Sequence, residues 1–371
     1  MTTHTRTHAH TQPPAPGRRI ERFDTLVIGG GQAGLSAGYH LSQRDVDFVI
    51  VDAEQRTGDV WRLRWDSLKL FTPAKYSGLP GMPFPAHPSH LPDKDEMADY
   101  LERYAERFDL PVRSGTRALS LSHDGERWVL HTDRGTLEAN SVVVATGAFH
   151  SPKIPAVATR LDRGIQQLHS SAYGSPFDLP DGPVLVVGAG NSGAQIALDL
   201  AREHKVWLAG RNTGHLPRRI LGRDLFDWIW PVIRRFSLDT RVGRRMRTRD
   251  GGDALIGIPE RAIEQAGIVR VGRVDGEHDG WPVAGGEPIR PRSIVWCTGF
   301  LPDYSWIDAP VFDERGLPRH VRGVVPDAPG LYFLGLRFQH RLSSSLVGGT
   351  GDDAAFVAAE VLRRSAAIMA D

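Results

Sequence analysis

The feature that most restricts how this chain can fold is a glycine spacing that occurs twice. Residues 24–28 form a short, largely β-branched run that feeds directly into Gly29, Gly31 and Gly34, spaced G-x-G-x-x-G, and the residues through Leu41 then read as a helix. In such a unit the first glycine permits a tight turn, the second lets backbone approach a pyrophosphate, and the third lets helix pack on strand. The phosphates then sit at the helix N-terminus, beside the variable positions Gln32 and Ala33. A second strand, Asp47 to Asp52, ends in a carboxylate 23 residues after Gly29, where a ribose diol is held in units of this kind.

The device returns at residues 184–187, which lead into Gly188, Gly190 and Gly193 with Asn191 and Ser192 between them; a helix through Ala201 and a strand from Lys205 to Ala209 follow. Here the residue 23 positions after the first glycine is Arg211. A carboxylate at that place repels a 2′-phosphate, whereas a guanidinium accepts one bidentately. The first copy therefore reads as a site for a dinucleotide with a free adenosine ribose, the second as a site for NADP; glycine-rich turns of ordinary α/β units are the structural alternative. Two further buried-strand runs, ending at Thr146-Gly147 and at Thr298-Gly299, look like an exit strand for each unit.

These elements predict an α/β fold with two Rossmann-like dinucleotide-binding domains, the second inserted into the first. The expected boundaries are a tail over 1–19, a first domain over 20–154 and 291–371, and a second over 155–290. Nucleotides on neighbouring domains imply hydride transfer between them, so one should be a flavin. The tail, with His4, His8 and His10 among Thr, Pro and Gly, has too little apolar surface to order itself and lacks the apolar core of a secretory signal.

Composition removes several other classes. Lys and Arg number 45 against 44 Asp and Glu, so no global field draws the chain to nucleic acid. No run of 18 apolar residues is present to span a membrane, and cytoplasm is the default compartment. Cys297 is the one cysteine, which excludes an internal disulfide and a CxxC redox pair; inside an apolar strand it reads as an inert thiol. No metal-ligand spacing, Walker loop or Ser-His-Asp order appears, and no side chain stands out as a nucleophile or acid/base pair.

Beyond the two fingerprints, the chain carries Gly58-Asp-Val-Trp61-Arg62, the stretch from Asp66 to Pro73, Leu79 to Pro85, Leu216 to Gly222 and Gly330 to Gly335. In these ordered segments it resembles the two-dinucleotide-domain flavoprotein monooxygenases, which include flavin-containing monooxygenases and YUCCA-type indole-3-pyruvate monooxygenases. The resemblance implies FAD in the first site, with Trp61, Arg62 and the Leu70 to Pro73 segment near the isoalloxazine, and NADPH in the second. It implies that NADPH reduces the flavin, that dioxygen yields a C4a-(hydro)peroxyflavin, and that a small organic substrate is oxygenated. An NAD(P)H oxidase or reductase without oxygenation, and a flavoprotein that senses the NADP ratio, are alternatives on the same two sites. Association of identical chains is compatible with either. Ala74 stands where YUCCA-type sequences carry lysine, so indole-3-pyruvate is not carried over as substrate. Gly164 and His169-x-x-x-Tyr173 resemble the family's linker signature; His169 orients a ribose or phosphate, or is satisfied by backbone.

Three other stretches complete the reading. Asp93 to Glu96 predicts a capping box before a helix whose Met97, Tyr100, Leu101 and Tyr104 face the core. A pocket kept dry by aromatics would draw on Trp61, Trp65, Phe71, Tyr76, Phe84, Phe226, Trp228 and Trp230, each equally explicable as core. The segment 218–249 is aromatic and then arginine-rich; it reads as a solvated excursion of the second domain, a channel cap, or an element lying on a membrane surface, with Arg218 or Arg219 available to join Arg211 at the phosphate. Near the C-terminus, the helix opening around Asp352 offers backbone amides to the reduced flavin, or is simply capped.

Overall fold

The computed structural model describes residues 20–149, 151–238, 240–241 and 254–370. The expected N-terminal tail and most of the arginine-rich end of the 218–249 segment lie outside the described residues.

Strand β1 (Ile20–Ile28) turns at Gly29 into α1 (Gln32–Ser42), and β2 (Phe48–Val51) follows. Helix α2 (Lys94–Arg107) begins with the expected capping box: the Asp93 side chain accepts from the Glu96 backbone N–H, and the Glu96 side chain reaches back to the Asp93 backbone N–H. Such a box contributes about 1 kcal/mol, and it aims Met97, Tyr100, Leu101 and Tyr104 into the core, where all four are fully buried. Strands β3 (Val112–Arg113), β4 (Ala118–His123), β5 (Trp128–Thr132) and β6 (Gly135–Val144) complete the first pass through the sheet. The chain then enters a second, wholly parallel sheet. Its elements are β7 (Gln166–His169), β8 (Val184–Val187), α3 (Asn191–Leu200), β9 (Val206–Ala209), α4 (Leu225–Arg235), β10 (Val269–Val271) and β11 (Ser293–Trp296). It returns to the first sheet with β12 (Ile307–Asp308) and β13 (Leu331–Phe333), and closes with α5 (Thr350–Ala370) against α1.

The first sheet runs β12-β4-β5-β6-β1-β2-β3, and β13 joins it by pairing with the far end of β6. The second runs β10-β9-β8-β11-β7. Around each fingerprint the arrangement is the same: the glycine strand has the second strand on one side and the exit strand on the other. Phe48–Val51, Val184–Val187 and Ser293–Trp296 are buried at every position, as strands of parallel sheets covered on both faces must be. The two Rossmann-like units are therefore present, and the second lies within the sequence of the first.

One expectation needs correction. A boundary at 290/291 would leave β11 in the first domain, yet β11 pairs with both β8 and β7 in the second sheet. Its register with β8, Ile294 beside Leu185 and Val295 beside Val186, makes it that unit's own exit strand. The chain leaves the second sheet after Trp296.

Candidate functional site: two cradles and the seam between them

In both units the turn is built from the same atoms. The Gly29 N–H donates to Val51 O at 2.8 Å, and the Gly188 N–H to Ala209 O at 2.8 Å. Gly29 and Gly188 adopt φ of +107° and +114°, the left-handed region that disfavours any side chain. A Cβ on Gly34 would lie 1.8 Å from Gly29 O, and one on Gly193 would lie 1.7 Å from Gly188 O, so helix and strand meet only because both positions are bare. Gly31 and Gly190 differ. A Cβ at either would meet nothing within 4 Å: open space lies at the N-terminus of α1 and of α3, where a pyrophosphate would approach backbone N–H groups.

Asp52 and Arg211, the residues expected to distinguish the copies, sit just past β2 and β9. The Asp52 carboxylate accepts from the Gly30 N–H and, at 2.8 Å, from the Glu54 N–H. Burial raises its pKa above the ordinary aspartate value, opposed by those two donors. Arg211 is exposed, with no partner among the described residues. Ser192 is exposed at the start of α3, whereas Asn191 bridges outward, donating to Ala254 O and accepting from the Ile256 N–H. In α1 Gln32 is half-buried and Ala33 is buried, tight against Gly335.

Gly147 and Gly299 end the exit strands with φ of +76° and +82°, and space is open beside both. Thr146 stands at the end of β6. Thr298 donates its hydroxyl to Lys153 O, and Gly299 O accepts from the Lys153 N–H at 3.0 Å, which ties the second turn to the linker. His169 adds a further bond from β7: its Nε2 lies 2.9 Å from Gly299 O and its Nδ1 2.9 Å from the Ser171 hydroxyl. His169 is thus satisfied by backbone, one of its two expected roles. Burial is the main cause that lowers its pKa below the ordinary histidine value.

Between the two turns lies a residue that the sequence reading missed. The Arg64 guanidinium sits 5.2 Å from the ring of Phe149, two residues beyond Gly147, and 5.6 Å from the ring of Phe300, one residue beyond Gly299. The two rings meet edge-on at 5.1 Å, and Phe300 meets His169 edge-on at 4.7 Å. Arg64 donates from Nε to Val60 O, and no carboxylate pairs with it among the described residues. Burial lowers its pKa; Glu54 opposes this from a distance. A phenylalanine following each Thr-Gly turn was the available signal, and only the fold places both against one cation.

The remaining expected residues have the following surroundings. Trp61 is half-buried with its indole Nε1 unbonded, as is Nε1 of the buried Trp65. Arg62 is committed to an ion network with Asp59, Asp99 and Glu102 at 3.0–3.1 Å. Arg218 pairs with Asp224 at 2.9 Å and donates to Phe71 O. Arg219 is exposed. Asp352, at the start of α5, is held by Arg234 at 2.7 Å and by Arg341. The Cys297 thiol is enclosed, and burial pushes its pKa up to about 12, as expected of an inert thiol.

The aromatics divide. Trp65 and Phe84 are core, whereas Phe71 and Tyr76 of the first unit reach Phe226 and Trp230 of α4, with centroids 6.2 Å and 4.9 Å apart. Helix α4 is strapped down by Asp227, which accepts from Tyr76 at 2.6 Å and from Lys75 at 3.0 Å, and by Leu238, whose N–H donates to His340 O at 2.8 Å. Across the same seam Gln195 of α3 makes a two-bond clamp with the Lys69 backbone, at 3.0 and 3.1 Å; within the second unit the Tyr173 hydroxyl donates to Asp199 at 2.9 Å.

Two Rossmann-like units, each with an open glycine cradle and joined at their exit turns, define a two-dinucleotide-binding oxidoreductase. The chain belongs to the pyridine nucleotide-disulphide oxidoreductase family, whose pattern matches residues 26–335. It is 42% identical over 344 residues to an uncharacterized oxidoreductase, CzcO-like, of Geobacillus kaustophilus, covering 91% of this chain and 98% of that protein. A probable indole-3-pyruvate monooxygenase, YUCCA1 of Arabidopsis thaliana, is 26% identical over 95% of this chain and 93% of its own. Among solved structures, a flavin-containing monooxygenase from Stenotrophomonas maltophilia superposes with a TM-score of 0.76 at 26% identity, covering 92% of this chain and 99% of that one. The resemblance to flavoprotein monooxygenases thus extends through the fold. Among the described residues no helix is long and apolar enough to cross a membrane, and no group of His, Cys, Asp or Glu could hold a metal ion.

Proposed function

We propose that this oxidoreductase is an FAD- and NADPH-dependent monooxygenase of small organic molecules. The observation that carries the reading is the seam: two cradles of identical backbone design whose exit turns are bridged by Phe149, Arg64 and Phe300. The open space at Gly31 and the unbonded Trp61 Nε1 fit FAD in the first cradle; the open space at Gly190 and the unpaired Arg211 fit NADPH in the second. When bound, the flavin supplies the redox chemistry, accepting hydride and activating dioxygen.

The chain's own residues bind, orient and keep water out. Gly31 and Gly190 admit the pyrophosphates, Asp52 holds a ribose diol, and Arg211 takes the 2′-phosphate. Arg64 offers its half-buried charge to an anionic group of the second dinucleotide, the phosphate nearest the seam. Phe71, Tyr76, Phe226 and Trp230 shield the region from bulk water, which favours oxygen transfer over wasteful peroxide release. Within this chain the single, enclosed Cys297 leaves no thiol pair to receive electrons, so an external acceptor is required.

The test is turnover of the purified, yellow protein with NADPH under isotopically labelled dioxygen across thioethers, amines and ketones. One labelled oxygen in product per NADPH consumed supports the reading. Peroxide released in equal amount to NADPH with every substrate would replace it with an oxidase.

A further inference from the structure

Among the described residues, the contacts of α4 account for one of its faces only. Phe226, Asp227, Trp230, Ile233 and Arg234 meet the first unit or the core, whereas Trp228, Val232 and Arg235, spaced by four and three residues, share the opposite face and are exposed. The hairpin over residues 219–224 extends this face: the Trp228 Nε1–H donates to Ile220 O at 3.2 Å, and the Arg223 guanidinium lies 5.7 Å from the Trp228 ring. At the hairpin tip Leu221 has φ of +50° and is 87% exposed, while Trp228 and Val232 are 44% and 45% exposed. A leucine held at a turn tip in a strained conformation, beside an exposed tryptophan and valine, is an apolar surface that packing among the described residues does not explain.

Its charge is one-sided. Arg219, Arg223 and Arg235 are exposed around the apolar residues without a carboxylate partner among the described residues. The nearby acids are spent, Asp224 on Arg218 and Asp227 on Lys75 and Tyr76. We propose that this face, formed by the 219–224 hairpin and the outer side of α4, docks on an anionic lipid surface. Arginines beside exposed Leu, Trp and Val match an interface with phosphate headgroups above and acyl chains below, and the long arginine stems can keep their charge at headgroup level. A second copy docking by a two-fold axis through this face would bring the two arginine clusters into one interface without carboxylates to pair them. Nucleic acid would pair the arginines but leave Leu221 and Val232 in water.

The experiment is co-sedimentation of the intact, flavin-loaded protein with phosphatidylcholine vesicles containing phosphatidylglycerol, compared with pure phosphatidylcholine. Binding is expected on the anionic vesicles alone and should weaken as salt is raised. Neutralising each arginine should lower partitioning about fivefold, so Arg219→Gln, Arg223→Gln and Arg235→Gln together should abolish it. Leu221→Ser should reduce it on its own, with Tm and flavin content as controls for folding. Equal sedimentation with both vesicle types, or none with either, overturns the proposal. So does a dimer in analytical ultracentrifugation that the triple variant dissolves, or bound nucleic acid that the same variant releases.

Discussion

The two cradles share a backbone and differ in the side chain that follows it. In the first, Asp52 is half-buried and anchored by the N–H groups of Gly30 and Glu54, an acceptor fixed before any ligand arrives. In the second, Arg211 stands exposed, a long cation without a partner among the described residues. In the proposed assignment the pyrophosphate half of recognition is duplicated, because bare glycines and hydrogen-bonded turns would carry it, and the adenosine half would be decided by one residue just past the second strand. A fixed carboxylate suits a cofactor that stays, and a free guanidinium suits one that comes and goes.

The largest expected effects test the shared part. Gly34→Ala and Gly193→Ala each drive a methyl into a carbonyl oxygen, at a cost of about 3 kcal/mol or more, because the helix cannot retreat without opening the sheet. Thermal unfolding should show a fall in Tm for both, and Gly34→Ala should purify colourless. Gly31→Ala and Gly190→Ala add the same methyl to open space, so Tm should hold while the first loses flavin and the second loses NADP+ affinity, each by about tenfold or more. Retention of flavin by Gly31→Ala would mean that the space beside residue 31 is not the phosphate site.

Next in size is the exchange of character between the cradles. Arg211→Glu gives the second cradle an acid like that of the first, and the lost charge-assisted bonds with added repulsion should cut the preference for NADPH over NADH about a hundredfold. Steady-state kcat/KM with each nucleotide measures this. An unchanged preference would assign the 2′-phosphate to another residue, with Arg219 the next described candidate.

The cradles were legible in the sequence because each is local: strand, glycine spacing and second-strand terminus all fall within about thirty residues, and the backbone geometry they demand has few solutions. The capping box at Asp93 was legible for the same reason. What the sequence concealed is assembled over long distances. Arg64 meets Phe149 and Phe300, which are 85 and 236 residues away, and Arg62, two positions earlier, belongs to a separate ion network. Nor could spacing show that Arg218 turns back to Phe71, since the direction of the side chain is set by α4 folding over the first unit.

Arg64 supplies a test of that concealed part. It touches the aromatic residue of each exit turn, and if its charge serves the second dinucleotide, Arg64→Ala should raise the Kd for NADP+ about tenfold and leave flavin content unchanged. Equilibrium titration of the flavin-loaded protein with NADP+ reads this without turnover. An equal loss of flavin would move Arg64 to the first cradle.

The smallest effect separates the exit turns themselves. Thr298-Gly299 is pinned by a titratable group, His169. In neutral His169 the proton belongs on Nε2, which donates to Gly299 O, and Nδ1 accepts, with the Ser171 N–H 3.2 Å away. Protonating Nδ1 would set two donors against each other. The folded pKa of His169 is lowered by burial, so between that value and the unfolded value of 6.5 the unfolded chain binds more protons. The stabilisation from the neutral ring is therefore complete above 6.5 and is lost as pH falls through this window. Acidification should loosen NADP+ before it loosens flavin. His169→Gln, which retains a donor where Nε2 stands but cannot take up the proton, should flatten the pH dependence of the NADP+ Kd while leaving its neutral value within about threefold. A variant that keeps the full acid dependence would place the titrating group elsewhere in the second cradle.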